Sequence, residues 1–192
     1  MNPEQQSSEQ EQEREKPVKS EKQILWEQKQ AEADEIIDSR GKKIDEKIKE
    51  PVVAFLMHEF TTSGSCEGYI AAEGEDEHKV PHPYPWIEVY APEPEGWEES
   101  EEKRRERTIK NLKQQQRMTG LLEEFYQRRE TPFDARLTFR GVGNFGGFCV
   151  QSFGAQMMTL LTHEEQKQKL ELYRKEMDDF TKFLRDTYFS KE

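Results

Sequence analysis

Residues 61–69 read TTSGSCEGY and residues 82–90 read HPYPWIEVY, and the placement of these two runs decides what the chain becomes. The first is made of small hydroxyl residues and glycine. Such residues turn easily, because their side chains bond to their own backbone and glycine accepts positive φ. Residues 61–68 are read as a turn-rich loop that leads into a short strand at residues 69–72. In the second run, Pro81, Pro83 and Pro85 hold the chain extended, since each fixes its own φ and keeps the preceding residue out of the helical region. Residues 86–90 follow as a strand with two unlike faces, Ile87 and Val89 on one and Trp86, Glu88 and Tyr90 on the other.

Upstream of this region, Ile44, Ile48, Val52 and Phe55 recur every three to four residues, the spacing of a helix with one buried face. Pro51 falls inside that pattern, so a kink or restart is expected there. Downstream, residues 97–129 form a highly charged segment in which Leu121, Leu122, Phe125 and Tyr126 should dock, while EESEEKRRER at its front reads as a solvated face. Residues 135–140 and 147–153 read as two strands joined by GVGNFGG, a glycine-rich hairpin. Those glycines fit G-x-G-x-x-G, but a dinucleotide fingerprint needs a helix after them and strand-like residues follow instead. Thr162 and Glu165 form a capping box that opens a long C-terminal helix with Leu170, Tyr173, Met177 and Phe180 on one stripe. The predicted fold is α+β, a single domain with a small, mainly antiparallel sheet covered on one side by helices and ended by a long C-terminal helix.

Composition narrows the classes of function. The chain has 192 residues, 32% of them hydrophobic, a net charge of −11 and a mean hydropathy of −1.10. That charge opposes a broad grip on nucleic acid or on an anionic membrane, both of which need a cationic surface. The longest apolar run, residues 52–57, is far short of the ~20 residues of a membrane span. A cytoplasmic protein with reduced thiols is expected, since two cysteines, Cys66 and Cys149, are too few for a disulfide scaffold. Residues 1–20, rich in Glu, Gln, Ser and Lys, are read as a disordered tail. Residues 21–40 are read as a surface helix or a partner-binding arm, and residues 41–192 as the α+β domain.

The chemistry gathers in the opening stretch. Cys66 and Glu67 are the candidate catalytic residues, Cys66 as a nucleophile if a neighbour lowers its pKa and Glu67 as a base. A buried packing role for Cys66 stands beside that reading. Metal binding is the weakest option, because no paired-ligand spacing is present. Thr62, Ser63 and Ser65 offer hydroxyls and backbone amides to an anionic group. Trp86 could stack on a planar ligand and Glu88 accept from it, with Arg136, Thr138 and Arg140 on a later strand sharing the same face. The expected function is binding of a small anionic or nucleotide-like ligand. A non-catalytic interaction module that uses the N-terminal arm is the reading from another class.

Residues 44–70, IDEKIKEPVVAFLMHEFTTSGSCEGYI, with PYPWIEV and the C-terminal KEMDDFTKFLRDTYF, resemble a group of bacterial and phage-type proteins that share a helix, a T-S-x-S-C-E-G-H loop and a P-W-V strand. That group brings no established activity, and this chain has Tyr69 at the histidine position. More distantly, TTSGSCEG resembles the TTSSCSGR loop of the tRNA wybutosine-synthesising methyltransferases. Thr61, Thr62, Ser65, Cys66 and Gly68 match; Glu67 replaces a serine and Tyr69 a basic residue. This second resemblance implies S-adenosylmethionine as cofactor and a tRNA base as substrate.

Overall fold

The strand Gly147–Ser152 is buried at every residue, and the fold is arranged to cover both of its sides. The computed structural model describes residues 19–37, 41–72 and 82–190. The four strands are β1 (Thr62–Cys66), β2 (Trp86–Val89), β3 (Leu137–Val142) and β4 (Gly147–Ser152). They pair antiparallel throughout in the order β1-β2-β4-β3. The helices are α1 (Glu21–Glu35), α2 (Glu46–Met57), α3 (Glu101–Tyr126) and α4 (His163–Ser190), with short 3-10 turns at Phe133–Ala135 and Phe153–Leu160. This is a single α+β domain with helices over one face of a four-stranded sheet and a long C-terminal helix.

The helical side is an apolar core of the expected kind. Ile87, Val89, Leu137, Phe148 and Val150 meet Val52 and Phe55 of α2, Met118, Leu122 and Phe125 of α3, and Met177, Phe180 and Leu184 of α4. α4 begins at the Thr162–Glu165 capping box: Glu165 N–H donates to Thr162 Oγ1 at 3.4 Å, and Thr162 N–H donates to the Glu165 carboxylate at 2.9 Å. A second cluster of Tyr84, Ala135, Ala155, Met158, Leu170 and Tyr173 joins the first turns of α4 to the two 3-10 turns. α1 starts at a capping box of Ser20 and Gln23 and buries Trp26 against Tyr188 and Phe189 of α4. The tail, residues 1–18, and the acidic run 73–77 lie outside the described residues.

Two sequence expectations need correction. TTSGSC is an edge strand, with Thr62↔Val89, Gly64↔Glu88 and Cys66↔Trp86 in register and a bulge at Ser63, whereas residues 69–72 form no strand. Local turn preference lost to a tertiary requirement: the Trp86 indole lies over β1, and a Cβ at residue 64 would stand 3.3 Å from its Cζ3. α2 runs unbroken through Pro51. The proline forgoes one backbone bond near the helix start, and burial of Val52, Val53, Ala54 and Phe55 at 2% exposure or less outweighs that loss.

The charged front of α3, EESEEKRRER, is solvated as expected up to Glu106, and the polar burial begins at its last residue, Arg107. Arg107, Asn111 and Gln114 are buried in step with Met118, Leu122 and Phe125. Arg107 lies over Tyr90, 4.1 Å from the ring centroid, and donates from Nε to Ala91 O at 2.9 Å. Asn111 accepts from Ala91 N–H at 2.6 Å and donates to Phe145 O at 2.8 Å. Gln114 accepts from Thr61 N–H at 2.8 Å. The upper half of α3 thus binds the ends of strands through amides where its lower half uses hydrocarbon. Asn111→Ala strands the buried Ala91 N–H and the half-buried Phe145 C=O, so it should cost about 1–3 kcal/mol in urea unfolding. Ile109→Ala, on the exposed side, should stay within about 0.5 kcal/mol.

Candidate functional site

Strand register composes the sheet face opposite the helices from two rows. One row is Gly64, Glu88, Cys149 and Arg140; the other is Cys66, Trp86, Gln151 and Thr138. Adjacent rows on one face lie about 7 Å apart and adjacent strands about 4.8 Å, so Trp86, Glu88, Cys149 and Gln151 form a compact square with Arg140 at its flank. Trp86, Glu88 and Arg140 are half-buried, while Cys149 and Gln151 are fully buried.

The hydrogen bonds within the square orient each group. Ser63 Oγ donates to Glu88 Oε1 at 2.7 Å, which the bulge at Ser63 makes possible. Arg140 donates from Nε to Gln151 Oε1 at 3.2 Å, and the Cys149 thiol points at the same oxygen from 3.8 Å. An arginine can only donate, so it dictates which end of the amide faces it, and Gln151 Nε2 is turned the other way. Gln151 Nε2 and the Trp86 indole Nε1 are both buried, and neither has a hydrogen-bond partner among the described residues. Two buried donors on directly paired residues, with no acceptor between them, are costly in a native fold. Arg140 forms no ion pair among the described residues.

The segment before β2 closes one side of this face. His82 stacks on Tyr84 with ring centroids 5.2 Å apart and stands edge-on to Trp86 at 6.1 Å. Burial and the nearby Arg140 cation hold His82 below its ordinary 6.5, so it is neutral at pH 7. Tyr90 closes the other end. It lies so close on Gly147 that a side chain there would collide with the ring.

The remaining candidates are placed as follows. Cys66 shares the Trp86 row, but burial pushes its thiol up to about 11, although the Gly68 N–H donates to the sulfur at 3.4 Å. Cys149 is likewise pushed up to about 11 by burial, against the opposing pull of Arg140. Glu67 serves the helical side: its carboxylate accepts from Lys47 N–H at the start of α2, at 2.9 Å, and lies 3.8 Å from Arg174 of α4. Thr62 and Ser65 pair with Val89 and Ile87, the core-facing positions, and their backbone amides belong to an edge strand rather than to an anion-binding turn. Thr62 and Ser63 also line a depression of about 620 Å³ with Leu56, Phe60, Tyr90 and Pro92. Arg136 leaves the face and lies over Tyr126, 4.8 Å from the ring centroid. Among the described residues no three His, Cys, Asp or Glu side chains gather as a metal site.

Sequence reasoning passed over Gln151 and did not place Cys149 on this face. The signal was present in FCVQS, where Cys149 and Gln151 alternate with Phe148 and Val150, the same test that placed Trp86 and Glu88 together.

Two measurements probe these environments. A histidine whose folded pKa lies below 6.5 binds its proton more readily when unfolded, so its contribution to stability is present above 6.5 and is lost as pH falls below it. The difference in Tm between wild type and His82→Asn should therefore change between pH 7.5 and 5, with wild type losing ground on acidification. Raising both thiols from 9.0 to about 11 leaves roughly a hundredth of the thiolate. Maleimide labelling at pH 7.5 should be at least about a hundredfold slower for the folded protein than for the protein in guanidinium.

Comparison of the chain with protein-family models, with curated proteins and with solved structures found no match to any of them.

Proposed function

We propose that this protein binds a small planar anion on the sheet face formed by Trp86, Glu88, Arg140 and Gln151. The observation that carries the reading is the unpartnered Gln151 Nε2, a donor on a side chain with 0% exposure that Arg140 turns away from itself. A ligand acceptor placed there recovers a hydrogen bond the fold leaves unmade, which is the kind of term that gives a site its selectivity. The guanidinium of Arg140 supplies the charge, and its terminal N–H groups form a fork suited to a carboxylate or phosphate. Trp86 supplies the aromatic surface, and Glu88, oriented by Ser63, supplies the acceptor.

The reading is one of binding. Glu67 is committed to the start of α2, and Cys66 and Cys149 keep their protons at neutral pH. Neither cysteine therefore offers a thiolate, the form that attacks.

Thermal unfolding of the full chain with a panel of nucleoside monophosphates and aromatic carboxylates tests this. A ligand at a hundred times its Kd adds about 2.7 kcal/mol, which for a domain of this size raises Tm by about 5–10 °C. Arg140→Ala should weaken such a ligand by about 1.5–3 kcal/mol. A panel in which no compound shifts wild type more than Arg140→Ala would sink the proposal.

A further inference from the structure

We infer that the ligand is an oxo heterocycle, recognised along the edge where a ring carbonyl neighbours a ring N–H, as in uracil or hypoxanthine nucleotides. The inference rests on the binding site proposed above and narrows its ligand from planar anions in general to one hydrogen-bonding pattern.

The pattern follows from what each side chain can and cannot do. An indole N–H only donates, so nothing but an acceptor satisfies Trp86 Nε1. A glutamine amide is normally ambivalent, since it can rotate to offer either end. Here the ambivalence is removed. Gln151 Oε1 is engaged by Arg140 Nε at 3.2 Å and by the Cys149 thiol at 3.8 Å, so only the donating Nε2 remains. Trp86 and Gln151 are direct partners across β2 and β4, so both orphan donors belong to one row of the face. A ligand must present a carbonyl or another acceptor to that row.

Two residues along each strand, in the next row of the same face, the polarity reverses. Glu88 can only accept, and Ser63 holds its Oε1 from the outer strand at 2.7 Å. A donor pair beside a carboxylate is the complement of a lactam, in which C=O and N–H are adjacent and in one plane. Amino bases reverse this arrangement: cytosine and adenine carry an exocyclic NH₂ where uracil and hypoxanthine carry oxygen. That group would meet two donors, and the unprotonated ring nitrogen beside it would meet a carboxylate. Both mismatches penalise amino bases. The terminal N–H groups of Arg140 remain for the anionic substituent.

Entry requires one movement. The His82 ring stands edge-on against Trp86, and desolvation together with the neighbouring Arg140 keeps it neutral. The ligand ring takes the place of this imidazole beside the indole.

Matched pairs of nucleotides that differ by oxo against amino test the inference. UMP against CMP and IMP against AMP are titrated onto the full chain by calorimetry, with wild type, Gln151→Met and Trp86→Phe. Wild type should bind UMP or IMP at least tenfold more tightly than its amino counterpart. In Gln151→Met, which keeps the volume and removes the donor, that ratio should fall to near one. Trp86→Phe keeps a ring, removes Nε1 and serves as the second variant if Gln151→Met does not fold.

Equal affinity within each pair overturns the inference, as does a preference that both variants preserve. Aromatic carboxylates that bind through Arg140 while no nucleotide binds overturn the oxo-base assignment and leave the binding site standing. Absence of binding by every compound, with Gln151→Met as stable as wild type, overturns both and assigns the orphan donors to ordered water.

Discussion

Burial of β4 on both faces is the constraint on which the rest of the structure depends. A strand covered on one side can alternate apolar and polar residues and leave the polar ones to water. β4 alternates in that way, with Phe148 and Val150 toward the helices and Cys149 and Gln151 away from them, yet all four are fully buried. Its polar side therefore needs partners from the protein. Arg140, one strand over, satisfies the carbonyl end of Gln151, and nothing described satisfies the amide end. The candidate site is thus a by-product of how the sheet is closed, a polar remainder that the fold carries because its central strand has no solvent side.

The two ends of that face are closed by different means. At the hairpin end, Tyr90 lies on Gly147 and beneath Arg107, and α3 fixes the surrounding backbone with Asn111 and Gln114. Each of these polar side chains reaches main-chain groups that strand pairing leaves open. At the other end, the proline-spaced segment lays His82 and Tyr84 beside Trp86, and the second apolar cluster seals the corner against α4. Between the two closures, Glu88 and Arg140 keep partial contact with solvent. The polar pair with access to solvent is therefore the pair farthest from both closures.

Much of the architecture was legible from periodicity and end signals. Ile48, Val52 and Phe55 on α2, the Thr162–Glu165 box of α4, the proline-spaced approach to β2 and the glycine hairpin between β3 and β4 were each written in local residue choice. Trp86, Glu88 and Arg140 were placed on one face by alternation alone. What escaped was non-local. TTSGSC becomes a strand because an indole from β2 needs a strand without side-chain bulk beneath it, and nothing in those six residues declares that need. Arg107, Asn111 and Gln114 follow the helical period as faithfully as leucines would, but a reading tuned to hydrocarbon passes over them. Gln151 was visible as a polar residue in a strand; its significance lies in burial from a side that only the assembled sheet reveals.

The junction around Glu67 bears on how this protein comes apart. Glu67 joins the start of α2 through Lys47 N–H and Asp45, and Arg174 donates to the carbonyls of Glu67 and Gly68 at 3.0 and 2.7 Å. Its partners are 20 and 107 residues away along the chain. The 107-residue contact closes a longer loop than any strand pairing in the sheet, so it is expected to form after the sheet. Interactions absent from the folding transition state leave the folding rate nearly unchanged and act almost entirely on the rate of unfolding. Glu67 is in this sense expected to act as a latch, with little weight in how fast the native state is reached and more in how long it lasts.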